Sequence, residues 1–233
     1  VMNNKKSIIS YFDDWSKFEI VWLVLSTLIM ISLSFIWKDS LIALISGVTG
    51  IIGVVLCAKG KISTYFFATI NVALYAYLSY QNKLFGEVML NAVYFLPMNA
   101  IGFFLWKNKE NEDGNVIAKE LTKKSLALLF ITLILCILGY WKILSMLDGN
   151  LQLIDSITTI SSVMALILQV LRYKEQWLLW IIVNIVSIVM WTLLLNTPQG
   201  SITMIVMWVA YLFNSAYGYI NWTKLSHQEN TSL

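Results

Sequence analysis

The sequence predicts an all-α integral membrane protein. It would have eight transmembrane helices: two parallel three-helix units joined by one linker helix (a 3+1+3 order), plus an extra helix at the N-terminus. Three observations predict this. Of the 233 residues, 58% are hydrophobic and only 12% charged, about half the charge of a soluble domain. Apolar runs close to the ~20 residues needed to cross a bilayer follow one another along the chain. One long stretch is also written twice.

The first copy of that stretch runs from Lys59 to Trp106 and the second from Arg172 to Trp222. In each, a short basic loop leads into an apolar helix carrying one Asn. A Gly-bearing turn follows, then a second apolar helix with Tyr, Asn, Gly and a closing Trp. Asn71 pairs with Asn184, Tyr94 with Tyr211, Gly102 with Gly218 and Trp106 with Trp222, at near-constant offsets of about 113 to 117 residues. An internal repeat in an apolar chain points to a transporter.

Residues 1–17 are polar and mixed, but Ile8, Ile9, Tyr11, Phe12 and Trp15 are spaced for a short helix on the membrane surface. No run of small apolar residues with a cleavage site is present there, so no removable signal peptide is expected. The spans then fall at 19–37, 40–58, 63–80, 86–106, 124–146, 153–171, 176–195 and 200–222. Backbone groups in lipid must pair internally, and the alternation of a barrel is missing, so these are helices. Residues 1–39 lie outside the duplication. The units are 40–106 and 153–222, residues 107–152 hold a charged loop and the linker helix, and 223–233 form a polar tail. Three helices plus one linker is an even number, so the second unit enters the membrane with the orientation of the first. All but Lys38, Lys83 and Lys142 of the 16 basic residues share a side with the N-terminus. That bias places both termini in the cytoplasm.

The absences matter as much. The single histidine, His227, lies in the polar tail, and Glu19, Glu87, Asp155 and Glu175 sit at helix ends. Cys57 and Cys136 have no metal spacing and read as two buried membrane thiols. No pair of acids, nucleophile with a base, or ligand cluster stands at membrane depth. The expectation is therefore no enzyme, no metal, no cofactor and no ion relay, which leaves passive movement. A net charge of +3 is too dispersed for a nucleic-acid partner.

Neutral amides do stand at depth: Asn71, Asn91, Asn99, Asn184, Asn214 and Gln169. Each must find a hydrogen-bond partner, and helix-to-helix glue is the plain reading. Asn184 stands apart because Trp180 lies at i−4 and Ser187 at i+3, on one helical face. Asn71 has Phe67 and Tyr75 similarly placed. Amides beside aromatic planes suit an uncharged or singly cationic heterocycle with hydroxyls. Trp15, Trp37, Trp106, Trp141, Trp177 and Trp222, at span ends, read as interfacial anchors. Trp22 fits either a lipid face or a helix contact, and Trp180, Trp191 and Trp208 sit deeper. Pro97 should kink its helix. Gly47, Gly50 and Gly53 form a small-residue stripe for close helix approach.

With these strings in view, the chain resembles the PnuC family of vitamin transporters. The resemblance rests on KGKISTYFFATINVALYAYLSYQNKLFGEVMLNAVYFLPMNAIGFFLW and EQWLLWIIVNIVSIVMW, and covers about residues 40–222. It implies uptake of nicotinamide riboside by facilitated diffusion, trapping by an intracellular kinase, a fold similar to the SWEET transporters, and a homotrimer in the lipid bilayer. It implies a substrate site that includes Trp180, Asn184, Asn71, Asn91, Tyr94 and Asn99; Tyr211 and Asn214 are expected to join them, with Asn184, Asn71, Asn91 and Asn99 on carboxamide and ribose and Trp180 and Tyr211 around the ring. Asn99 stands where Gln is common in the family, and Asn184 where Asp is sometimes found. Relatives similar to this family carry thiamine or riboflavin, so those vitamins remain alternatives. The alternative from another class is a membrane scaffold or receptor whose amides only hold helices together.

Overall fold

The computed structural model describes residues 9–38, 40–81, 88–111, 113–146, 151–193, 195 and 202–228. Lys5, Lys6, Ile8, Lys83, Gly86, Glu87, Gly200, residues 229–233 and the Trp37 side chain, all invoked above, lie outside the described part. The regular elements among the described residues are a short 3-10 turn at Ile9–Phe12 and the helices α1 (Lys17–Trp37), α2 (Leu41–Lys59), α3 (Thr64–Gln81), α4 (Leu90–Trp106), α5 (Lys123–Ser145), α6 (Gln152–Val170), α7 (Gln176–Leu193) and α8 (Ile202–Gln228). Isolated bridges pair Glu110 with Val116 and Lys119 with Tyr173. Each helix falls on one predicted span. Of these helices, α1, α2, α5, α6 and α7 are long and apolar enough to cross a membrane on composition alone. Helices α3 and α8 fall short of that measure because they carry polar residues such as Asn71, Asn214 and Ser215, which line an internal cavity.

Local chemistry sets the ends. Ser16 caps α1 in a capping box with Glu19, and Ser40 and Thr122 cap α2 and α5. Gly60 closes α2 in the left-handed region at φ 87°, where a glycine carries no Cβ penalty. Helix α4 begins as a π-turn over Leu90–Phe95 before turning α-helical. Pro97 supplies the cause: it has no N–H for the preceding turn, and its ring crowds the carbonyl four residues back.

Helix α2 packs on α1, α3 and α8; α7 packs on α6 and α8; α4 packs on α3 and α6; and α5 packs on α6. The glycine stripe works as expected. A Cβ at Gly47 would meet the Met30 sulfur of α1 at 3.0 Å, and one at Gly53 the Ala68 backbone nitrogen of α3 at 3.5 Å. Two seams, α4 against α6 and α8 against α2, carry matching indole hydrogen bonds. Trp106 donates to the Gln169 carbonyl at 3.1 Å, and Trp222 donates to the Cys57 carbonyl at 2.8 Å.

Four tryptophans therefore correct the sequence reading. Trp106 and Trp222 are 0% exposed, and Trp15 and Trp177 are buried too. They are core residues, not interfacial anchors. The rings of Trp106 and Trp177 pack against Trp222, at 5.5 and 6.1 Å between centroids, while Trp15 packs against Tyr11 and Phe12. The indole N–H groups of Trp106 and Trp222 have carbonyl partners that a membrane–water interface would otherwise supply. Trp141 is 41% exposed, consistent with an anchor. Cys57 is buried as expected, but Cys136 lies on the exposed face of α5.

The charged loop between α4 and α5 is also more ordered than its composition suggests. Val116 N–H donates to the Gly60 carbonyl, Lys119 N–H to the Arg172 carbonyl, and Lys174 N–H to the Lys119 carbonyl. Val116 and Ala118 are buried beneath it. The loop spans the two basic turns that open the repeated stretches. Asp14 adds a further tie, through ion pairs to Lys59 and Lys61 at 3.2 and 2.9 Å and a hydrogen bond from Asn115 at 2.8 Å. Burial raises the Asp14 carboxyl, but Asn115, Lys61 and Lys59 outweigh it and hold the pKa below the ordinary carboxylate value. Glu175, by contrast, is pushed up by burial despite hydrogen bonds from backbone N–H groups and the Lys174 charge.

Candidate functional site

A cavity of about 580 Å³ opens among the helices, within the usual range for a small-molecule site. It takes side chains from α1 to α4 and from α6 to α8. None of its lining residues is Asp, Glu, Lys, Arg or His. The field inside it is thus set by amides, hydroxyls and aromatic faces.

Seven of the eight predicted site residues line this cavity: Asn71, Asn91, Asn99, Trp180, Asn184, Tyr211 and Asn214. Tyr94 does not. Its hydroxyl donates to the Val163 carbonyl of α6 at 2.7 Å, and its ring packs against the tryptophan core. The helical turn that carries Asn91 into the cavity carries Tyr94 out of it.

The amides are not equivalent. Asn184 donates one amide N–H to the Ser215 hydroxyl at 2.8 Å, which leaves its second N–H and its oxygen for other partners. Asn71 donates to the Ser46 carbonyl at 2.8 Å and to the Ser46 hydroxyl at 3.3 Å. Gly50 makes room for it, since a Cβ there would stand 2.8 Å from the Asn71 amide nitrogen. Asn214 donates to the Val54 carbonyl at 3.1 Å and accepts from the Trp22 indole at 3.2 Å. Asn99 is buried, and its amide nitrogen has no partner in the protein. An unmet buried donor costs about 1–3 kcal/mol.

Trp208 is the residue that sequence reasoning missed. It lines the cavity, packs edge-on against Tyr211 at 5.7 Å, and its indole nitrogen is buried without a partner. The signal was available: shifted by the Tyr94-to-Tyr211 offset, Asn91 falls on Trp208. Three buried donors of the lining therefore lack acceptors: Asn99 on α4, Trp177 on α7 and Trp208 on α8. Trp180 and Tyr211 supply aromatic surface, and Trp177 packs so tightly under Gly218 that a Cβ there would meet its ring at 2.6 Å.

An all-helical membrane protein with an uncharged amide-and-aromatic cavity among its helices has the form of a small-molecule carrier. Comparison with known proteins agrees. Residues 40–224 match the family described as nicotinamide mononucleotide transporter, and the chain belongs to that family. It is 40% identical over 220 residues to the nicotinamide riboside transporter PnuC of Neisseria mucosa, covering 92% of this chain and 84% of that protein. It is 42% identical over 223 residues to the protein of the same name from Haemophilus influenzae, covering 94% and 96%. A crystal structure of the vitamin B3 transporter PnuC superimposes with a TM-score of 0.79 at 39% identity, covering 94% of this chain and 96% of that one. These relatives are transporters rather than enzymes, and they carry the name of the family that the sequence resembles.

Proposed function

We propose that this protein transports nicotinamide riboside across the bacterial inner membrane by facilitated diffusion. The observation that carries the reading is the cavity: its amides, unmet buried donors and aromatic faces fit a ligand with a carboxamide, ribose hydroxyls and a cationic ring. Asn99 and Trp208 would donate to ligand oxygens, and the Asn184 oxygen would accept from an N–H or O–H. Trp180 and Tyr211 would enclose the pyridinium, a contact worth about 0.5–2 kcal/mol. Asn71, Asn91 and Asn214 would complete the polar wall. The names of the relatives support the same substrate.

The architecture we propose is the parallel 3+1+3 duplication, with α2–α4 and α6–α8 as the units, α5 as linker and α1 added at the front. The matching bonds of Trp106 and Trp222 support it. So do two more that cross the seams in opposite directions, Tyr94 to the Val163 carbonyl and Asn214 to the Val54 carbonyl. Alternating access would be rocking of one unit on the other, with the π-turn at Leu90–Phe95 and Pro97 as the hinge. Both termini would be cytoplasmic, as the basic loops require. A homotrimer would bury part of the exposed apolar faces. A cytoplasmic kinase would trap the substrate, because a phosphorylated product carries charges that this neutral cavity cannot solvate.

Flux of nicotinamide riboside into proteoliposomes tests the mechanism. The expected result is saturable uptake that is unchanged when proton and sodium gradients are collapsed. Uptake that vanishes with either gradient would refute facilitated diffusion.

A further inference from the structure

Helix α1 has no counterpart in the second unit, yet it reaches the cavity chemistry. Glu19 accepts from the Tyr217 hydroxyl of α8 and pairs with Lys59 at the end of α2 at 3.0 Å. One turn further along α1, Trp22 donates its indole N–H to the Asn214 oxygen at 3.2 Å. Asn214 lies one turn before Tyr217 on α8, and its amide nitrogen donates to the Val54 carbonyl of α2 at 3.1 Å. Phe18 stacks on Trp22 with 8° between ring planes and also packs against Tyr217. Trp22 is not among the residues lining the cavity, whereas Asn214 is.

We infer that Trp22 is a positioning residue for the substrate cavity: it fixes which way round the Asn214 amide stands. The chemistry of the two neighbours leaves one solution. An indole N–H can only donate and a peptide carbonyl can only accept, so the amide oxygen must face α1 and the nitrogen must face α2. That leaves Asn214 one N–H and one oxygen lone pair at defined places on the cavity wall. Without the indole N–H, the amide is held at one end only and can turn away from the ligand. The helix outside the repeat is thereby part of the binding site, through an amide shared among α1, α2 and α8. The inference rests on the substrate reading above.

The test is calorimetric titration with nicotinamide riboside of four purified proteins: wild type, Trp22→Phe, Asn214→Ala and the double variant. Trp22→Phe keeps an aromatic ring against Phe18 and removes the donor. It should weaken binding roughly 5- to 10-fold, a size expected for one hydrogen bond to a buried amide. Asn214→Ala should weaken it at least as much, and the double variant should bind no worse than Asn214→Ala alone, because Trp22 acts only through that amide. A purely structural tryptophan would instead give losses that add. Trp22→His, which keeps a ring N–H, should stay within about 3-fold of wild type; it also carries the comparison if the Phe variant does not fold. Folded Trp22→Phe with wild-type affinity, additive losses, or a folded Trp22→His that loses affinity at least as far as the Phe or Ala variants would each overturn the inference while leaving the substrate reading intact. Folded wild type that does not bind nicotinamide riboside would sink the substrate reading and this inference together.

Discussion

Adding one methyl group to Gly50 is a sharp test of the cavity wall. A Cβ there would lie 2.8 Å from the Asn71 amide nitrogen and 3.2 Å from its Cγ, against 3.4–4 Å for an ordinary contact. The Asn71 amide must therefore retreat by more than half an ångström. Its bond to the Ser46 carbonyl, at 2.8 Å, and the longer one to the Ser46 hydroxyl, at 3.3 Å, cannot both survive that shift. One lost hydrogen bond is worth about 0.5–1.5 kcal/mol. Gly50→Ala should therefore raise the dissociation constant for nicotinamide riboside roughly 3- to 10-fold. Gly53→Ala is the internal control. It lies one turn away on the same stripe, but its Cβ would meet nothing closer than the Ala68 nitrogen at 3.5 Å, so affinity should change less than 2-fold. Calorimetry on both variants reads the difference. Equal effects at the two glycines, or none at Gly50, would refute the placement of Asn71 in the binding wall.

Other expectations follow from the same geometry. Asn184→Ala should weaken binding by about 1–3 kcal/mol, the cost of leaving a ligand donor unpaired, while the thermal midpoint falls little because only the Ser215 bond is lost; a broad loss of folding would return Asn184 to the role of helix glue. Gly218→Ala should act on stability rather than affinity alone, since the new Cβ meets the rigid Trp177 ring at 2.6 Å; about 1–3 kcal/mol of destabilisation is expected, measured by thermal unfolding in detergent. Trp222→Phe should cost about 0.5–1.5 kcal/mol through the lost bond to the Cys57 carbonyl, and an unchanged midpoint would count against the seam. The depressed pKa of Asp14 gives stability that is present at neutral pH and lost as pH falls below about 4 and through the folded value. Comparing melting at neutral and acid pH, Asp14→Asn should show a smaller acid-induced drop than wild type.

The spans were legible because their signal is collective: about 20 apolar residues in a row survive any local ambiguity. The pattern behind the proposed duplication is collective in the same way, since Asn71 and Asn184 keep their order and spacing with the residues around them. Single side chains were harder. Trp106, Trp177 and Trp222 sit where interfacial tryptophans sit, and nothing local distinguishes an indole bonded to headgroup water from one bonded to the Gln169 carbonyl. Tyr94 carries the right residue type at the right offset, yet the π-turn of Leu90–Phe95 sets where its side chain goes, and no composition rule states a π-turn. Trp208 was hidden by its own type: a deep tryptophan reads as core until its repeat position and its unmet nitrogen are seen together. The loop between α4 and α5 showed only its charge in the sequence because Val116 and Ala118, which are buried in it, are ordinary residues.

The central claim is that this cavity recognises nicotinamide riboside. Calorimetric titration of the detergent-solubilised protein with nicotinamide riboside, thiamine and riboflavin in turn tests it most directly. The account predicts tight, saturable binding of nicotinamide riboside alone, weakened in Asn184→Ala. Tight binding of thiamine or riboflavin instead, or no binding of any of the three by folded protein, would contradict it.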